Sequence, residues 1–254
     1  SASIDTACSA SLVALHMAAS SLAESSSDAA LVAGVMLSLV PQSTLMVQRA
    51  GMLAADGRCK VLDADADGYV RGEACRAMWL EAAAPDAATA AAGKEAGSAP
   101  LAVVLGSAVK TNGRASSLTA PHGPTQQALI ARALEAAGMA AAEVSGLQLH
   151  ANGTSLGDPI EVGAIVPAYQ LTQAGSGAVA GSDSNSRLAF VLTSIKGYAG
   201  LSEAAAGAVG VLEAASVMLQ QALVPALHVR NLNPYVAAPL QRRNAVLNRS
   251  TGLA

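Results

Sequence analysis

The chain has 254 residues and a formal net charge of −3 at pH 7, so no basic surface argues for a nucleic acid or an anionic membrane as partner. Hydrophobic residues make up 52% of it and charged residues 13%, which excludes a disordered chain and allows one sizeable domain or two small ones. Only 2% of the residues are aromatic, so the core is built from Ala, Val and Leu rather than from rings.

The chain opens on Ser3-Ile4-Asp5-Thr6-Ala7-Cys8-Ser9-Ala10-Ser11-Leu12, a short β-like entry leading to one cysteine among small residues. The spacing of Leu12, Leu15, Ala19 and Leu22 predicts a helix burying one face. Cys8 then sits where a tight turn becomes a helix N-terminus, where unpaired N–H groups and the macrodipole favour an anion such as a thiolate. Ala7, Ser9 and Ala10 leave room for a substrate to approach the sulfur. Cys8, Cys59 and Cys75 show neither CxxC pairing nor His partners at zinc spacing. That pattern gives no metal site and points to a reduced, intracellular compartment such as the cytoplasm.

Further on, Ala29 to Val35 reads as a buried strand stopped by glycine. The longest apolar run, Ala29 to Leu37, is too short to span a bilayer. Pro41 begins a more irregular stretch. Asp63, Asp65, Asp67 and Gly68 match the opening of an EF-hand loop, but the position for the bidentate Glu holds Ala74, and no helical period flanks the loop on both sides. Calcium is therefore rejected. Cys75 to Glu81 reads as a strand, Ala82 to Pro100 as a linker, and Leu101 to Val109 as another buried strand. Thr125 to Ala137 is predicted to be an amphipathic helix closed by Gly138.

Leu147-Gln148-Leu149-His150-Ala151-Asn152-Gly153-Thr154 followed by Gly157-Asp158-Pro159-Ile160-Glu161 reads as strand, loop, helix. Asp158 is the expected N-cap, Pro159 suits the first helical position, and Glu161 completes a capping-box pattern. His150 falls at a strand's C-terminal end, where α/β proteins commonly place chemistry. Ser194-Ile195-Lys196-Gly197-Tyr198-Ala199-Gly200-Leu201-Ser202-Glu203 leads into an Ala/Gly-rich helix reaching Leu219. His16, about 12 Å along the first helix from Cys8, is too far to be its base and is expected to be a hydrogen-bonded core histidine. His122 and His228 receive no catalytic role. The alternation of strands and helices implies an α/β class.

These blocks occur together and in one order, and the chain resembles the β-ketoacyl synthases, specifically ketosynthase domains of type I polyketide synthases. Asp5-Thr6-Ala7-Cys8-Ser9 resembles the family's nucleophile motif, and Asp56 to Glu73 resembles its DGRCK-x-FDA-x-ADGYVRGE signature. The segment from His150 resembles His-Gly-Thr-Gly-Thr…Gly-Asp-Pro-Ile-Glu, and the segment from Ser194 resembles Ser-x-Lys-Ser-Asn-x-Gly-His-x-Glu-Ala-Ala-Ala-Gly. The resemblance runs from Ile4 to about Val236, and the residues after Pro239 match nothing in it. It implies a thiolase-like layered α-β-α-β-α fold, incomplete at both ends. Residues 1–99 would carry the later part of the first half and a linker, and residues 100–254 a truncated second half.

The resemblance implies Cys8 as acyl-accepting nucleophile and His150 as the first catalytic histidine. Lys196 and Glu203 would support the site, and Asn152 and Thr154 would bind the pantetheine arm. Leu201 stands where the family has its second histidine, Tyr198 where it has asparagine, and Ala151 and Asn152 replace Gly and Thr. The implied reaction is decarboxylative Claisen condensation of an acyl thioester with a malonyl thioester. The phosphopantetheine arrives on an acyl carrier protein, with no cofactor bound, and family members are homodimers. The alternatives are an acyl-loading or transacylating domain that does not elongate and a non-enzymatic structural domain. Degradative thiolases share the fold, but their cysteine and histidine motifs differ.

Overall fold

The computed structural model describes residues 1–83, 100–117, 120–170, 190–241 and 245–247. Helix α1 (Ala10–Ala23) buries Ala10, Ser11, Leu15 and Leu22. Its inward stripe is therefore rotated from the expected one, and Leu12 is turned toward solvent. Neighbouring backbone crowds this face. Gly34 and Gly207 lie so close that a Cβ on either would fall about 3 Å or less from Ser11, and only a small side chain fits there. The Ser11 hydroxyl also accepts a hydrogen bond from Ala208 N at 3.0 Å.

Strand β1 (Ala29–Met36) pairs antiparallel with β2 (Ala74–Glu81), from Ala29 opposite Glu81 to Met36 opposite Ala74. The sequence predicts a strand buried on both faces; the structure corrects this. Val32 is buried while Leu31 is 66% exposed, because α1 covers one face of the pair and the other meets solvent. Cys75 lies on β2 and is exposed. The stretch after Pro41 is not irregular but forms α2 (Pro41–Arg49), with the proline in its first turn, where a missing N–H costs nothing.

Leu101 to Val109 forms no strand, and Leu101, Val104 and Leu105 are exposed. A strand exists only where its backbone groups find a ladder partner, and this segment has none among the described residues. It lies instead against helix α3 (Gly123–Ala137), where a Cβ on Gly106 would come within 2.5 Å of Ala137 N. Gly138 ends α3 at φ +63°, as expected. Most of the linker expected between Ala82 and Pro100 lies outside the described residues.

The second sheet is parallel, in the order β3 (Gly146–Gln148), β4 (Phe190–Thr193), β5 (Ala245–Leu247). Strand β5 comes from the segment that resembled nothing in sequence. Around the sheet lie α4 (Gly157–Ala168), α5 (Lys196–Ala199), a 3-10 turn (Glu203–Ala205) running into α6 (Ala206–Gln220), and α7 (Pro234–Leu240). The central core gathers Val61, Leu62, Val162, Leu192 and Val236.

An irregular segment, residues 59–73, runs between these elements. It is tied to Leu201 by hydrogen bonds from Leu201 N to Val70 O at 2.8 Å and from Gly72 N to Leu201 O at 2.9 Å. The contact needs two glycines. Gly200 has φ +69°, and a Cβ on Gly72 would overlap the Ala199 carbonyl oxygen. Gly72→Ala should lower unfolding free energy by about 2 kcal/mol, as an overpacked backbone contact does. Gly163→Ala, a helix position with open space around it, should instead raise it by about 0.5–1 kcal/mol. Urea denaturation of the two variants beside the parent checks both signs.

Candidate functional site

Cys8 sits two residues before α1, half-buried. The turn that delivers it has Ala7 at φ +54°. It is fixed by Ala7 N donating to Asp5 Oδ1 at 3.1 Å and by Ser9 Oγ donating to Thr6 O at 2.8 Å. Cys8 packs against the central core, in the cluster that contains Leu201, Tyr69 and Cys59. Cys59 is buried, and burial pushes its thiol pKa up, which makes it a structural sulfur rather than a nucleophile.

His150 follows β3 by two residues. Its backbone is held by Glu161, whose carboxylate accepts from His150 N at 2.7 Å and Ala151 N at 2.8 Å. One turn earlier, Asp158 is 1% exposed. It accepts from Asn152 N at 3.1 Å, Gly153 N at 3.2 Å and Leu62 N at 2.8 Å. The expected capping box is therefore overturned. The helix N-cap is Leu156, with no side-chain cap, and both carboxylates reach past the helix end to the loop that carries His150. Burial pushes the pKa of both acids up, against the pull of these backbone N–H groups.

His150 is exposed, with its ring against protein close to the Lys196 ammonium. Desolvation, reinforced by the nearby Lys196 ammonium, lowers its pKa from the ordinary 6.5 to about 4. The imidazole is neutral at physiological pH and is able to donate from one nitrogen. Lys196 is 5% exposed, and its Nζ donates to Leu149 O at 3.3 Å. Burial lowers its pKa, opposed by the charges of Glu161, Cys59, Cys8 and Asp158. Cys8, His150, Glu161 and Lys196 thus share one electrostatic neighbourhood, although they come from segments far apart in sequence.

Lys196 and Glu203 do not pair with each other. Glu203 Oε1 takes Arg71 Nε at 3.1 Å, and the same guanidinium donates to Ser43 Oγ at 2.8 Å and Thr44 Oγ1 at 2.7 Å. Glu161, not Glu203, is the leading negative charge acting on the buried Lys196. Asn152 and Thr154 meet each other, Thr154 Oγ1 donating to Asn152 Oδ1 at 3.0 Å. Leu201 is 3% exposed and lies in the cluster beside Cys8. Tyr198, four-tenths exposed, donates its hydroxyl to the Pro225 carbonyl.

Two of the other histidines hold structural hydrogen bonds. His16 Nδ1 hydrogen-bonds Ser107 Oγ at 2.8 Å, and His122 Nδ1 hydrogen-bonds Thr125 Oγ1 at 2.8 Å. The acidic run serves the scaffold. Asp63 accepts from Asp65, Arg230 and Asn231 backbone N–H groups, and Asp67 pairs with Lys60 at 2.7 Å. Sequence reasoning missed the structural weight of Arg71 and Tyr69. Their signal was available: two polar residues alternating with apolar ones in Tyr69-Val70-Arg71 share one face of an extended segment.

A family model described as "Beta-ketoacyl synthase, N-terminal domain" matches residues 1–85, and "Beta-ketoacyl synthase, C-terminal domain" matches residues 101–230. The chain is 40% identical over 239 residues to a phenolphthiocerol/phthiocerol polyketide synthase of Mycobacterium tuberculosis, covering 94% of this chain and 10% of that protein. It is 38% identical over 233 residues to an erythronolide synthase of Saccharopolyspora erythraea, covering 92% of this chain and 6% of that protein. Among solved structures, an oxazolomycin ketosynthase domain of Streptomyces albus superposes with a TM-score of 0.81 at 34% identity, over 97% of this chain and 40% of that one. The ketosynthase from module 6 of the bacillaene synthase of Bacillus subtilis gives a TM-score of 0.81 at 31% identity, over 97% and 41%. The fold is thus the thiolase-like α/β fold of ketosynthase domains, over less than half of the solved domains' length. Among the described residues no helix is long and apolar enough to cross a membrane.

The depressed pKa of His150 makes a pH prediction. Between pH 4 and 6.5 the unfolded chain holds a proton on His150 that the folded chain lacks. This residue therefore removes stability as pH falls through that window and contributes nothing to the slope above it. The His150 ring resonances should titrate near pH 4 by NMR. His150→Gln should flatten the loss of stability between pH 6.5 and 4, measured by urea unfolding; a midpoint near 6.5 contradicts the lysine-flanked setting.

Proposed function

Because the chain belongs to the β-ketoacyl synthase family, as ketosynthase sequence of the type I polyketide synthase kind, we propose that it catalyses decarboxylative condensation of an acyl thioester with a malonyl thioester. What supports the reading is that the buried Lys196 lies within electrostatic reach of both Cys8, at the start of α1, and His150. The Cys8 thiolate attacks the acyl carbonyl and expels the pantetheine thiol, leaving acyl-Cys8. The backbone N–H of Cys8 is one donor for the tetrahedral oxyanion.

In the second half-reaction, the bond from the malonyl methylene carbon to its carboxylate breaks. Its electron pair moves toward the thioester oxygen as an enolate, and carbon dioxide leaves. Neutral His150 hydrogen-bonds that oxygen as charge develops, the kind of stabilisation that preorganised donors supply best in a desolvated site. Lys196 and Glu161 set the electrostatics and position of the ring, and so act as positioning residues. The enolate carbon then attacks acyl-Cys8, and the cysteine leaves as thiolate. The product is a 3-ketoacyl thioester two carbons longer. In this reading Asn152 and Thr154 line the path of the pantetheine arm, which is carried by an acyl carrier protein, and the enzyme is an acyltransferase.

Leu201 supplies no side-chain donor. The protein incubated with an acyl thioester should nevertheless gain the acyl mass on Cys8, and a malonyl carrier should then yield the extended thioester. Cys8→Ala should abolish the adduct. His150→Ala should slow malonyl decarboxylation by about a hundredfold to a thousandfold. Mass spectrometry of protein and product separates the outcomes: an adduct that never extends means a loading domain, and no adduct at all overturns the enzymatic reading.

A further inference from the structure

Tyr69 has a buried ring and an unpartnered hydroxyl. Only 8% of the residue is exposed, and it packs in the same cluster as Leu201, with Cys8 against it. Among the described residues no group hydrogen-bonds its phenol, yet the oxygen is not among the sealed, unsatisfied polar atoms. It therefore opens onto solvent from a mostly apolar wall. A buried hydroxyl normally finds a partner, and one that opens unpaired beside a nucleophile is available to a ligand.

The backbone fixes where this hydroxyl points from. Tyr69 N donates to Met52 O at 3.0 Å, and Tyr69 O accepts from Ala54 N at 3.0 Å, so the residue is pinned along one edge to the segment around Leu53. Arg71, two residues on, is the register partner of Leu201, and its side chain reaches Glu203. Side chains two apart along an extended segment lie on one face. Tyr69 and Arg71 thus share the face that meets Leu201 and Glu203. The charges of Glu203, Arg71, Cys8 and Cys59 all reach the phenol.

We propose that Tyr69 is a substrate-facing hydrogen-bond donor that takes up, from the neighbouring segment, the place in the cleft where Leu201 offers only a hydrocarbon wall. The proposal rests on the condensing reading above and assigns a residue to its second half-reaction. The phenol donates to the malonyl thioester oxygen opposite His150 as the enolate forms. No proton is transferred, and the hydrogen bond shortens as negative charge builds on the acceptor. Burial, the leading influence on this group, pushes its pKa up, so the donor form persists through the physiological range.

Tyr69→Phe keeps the ring and removes only the hydroxyl. Malonyl decarboxylation by acyl-Cys8 protein should fall about a hundredfold in kcat, with KM for the malonyl carrier changed far less and acylation of Cys8 slowed far less than decarboxylation. Leu201→His supplies an alternative donor, so in that background Tyr69→Phe should cost less than about tenfold, a non-additivity expected of two groups serving one oxygen. Equal slowing of acylation and decarboxylation shows a packing role and overturns the proposal. An unchanged rate in Tyr69→Phe, or a parent that acylates Cys8 but never decarboxylates malonate, overturns it as well. A parent that forms no acyl-Cys8 overturns the condensing reading itself.

Discussion

The buried carboxylate of Asp158 holds the site together. It ends the solvation of a charge, which is costly, and offsets that cost through backbone N–H donors from two separate segments. Leu62 belongs to the irregular segment, and Asn152 and Gly153 belong to the loop after His150. One side chain therefore joins the start of α4, the loop after His150 and the segment that reaches Leu201. Glu161 repeats the device three residues later on the same helical face, taking the next two N–H groups back toward His150. The loop needs no regular secondary structure because helix-borne carboxylates satisfy its donors. Gly153, at φ +86°, completes the arrangement. A Cβ there would fall 2.8 Å from Lys60 N, so the loop and the irregular segment approach with nothing between them.

That irregular segment is the hub of the structure, although it contains little helix or strand. Asp63 collects the backbone of Arg230 and Asn231, Leu62 O accepts from Asn233 N at 2.9 Å, and Gly68 N donates to Gly153 O at 2.9 Å. Each bond replaces one that water would make, so the net gain per bond is modest, but leaving any of these buried groups unpaired would be expensive. The acidic run that mimics a calcium loop is thus a set of anchors for backbone N–H groups and for Lys60.

The electrostatics of the cleft follow from burial more than from ion pairing. Lys196 is almost sealed, Glu161 lies against backbone donors, and His150 sits beside both. A cation next to an imidazole in a poorly solvated place keeps the ring neutral. A neutral ring keeps one N–H free to donate and one nitrogen free to accept. Arg71 and Glu203 form a separate ion pair beside Leu201, so Lys196 and Glu203, close in sequence, take different partners.

The sequence by itself determined the class and the family, and it marked the candidate residues for the chemistry. Cys8, His150 and Lys196 stand in local motifs, and the existence of helices α1, α3 and α6 is readable from local spacing and composition, though not which face of α1 turns inward. Local pattern failed wherever the partner was distant in sequence. Leu101 to Val109 has the composition of a strand, but no ladder partner among the described residues, and β5 lacks a recognisable pattern yet completes the parallel sheet. Asp158 and Glu161 match a capping box because the same residue types satisfy N–H groups either at their own helix end or elsewhere, and only packing decided which. The pairing of Glu203 with Arg71 instead of Lys196, and the placing of Tyr69 beside Leu201 and Cys8, depend on two chain segments meeting through Gly72 and Gly200. Such meetings are set by long-range packing, whose energy does not reside in any one stretch of sequence.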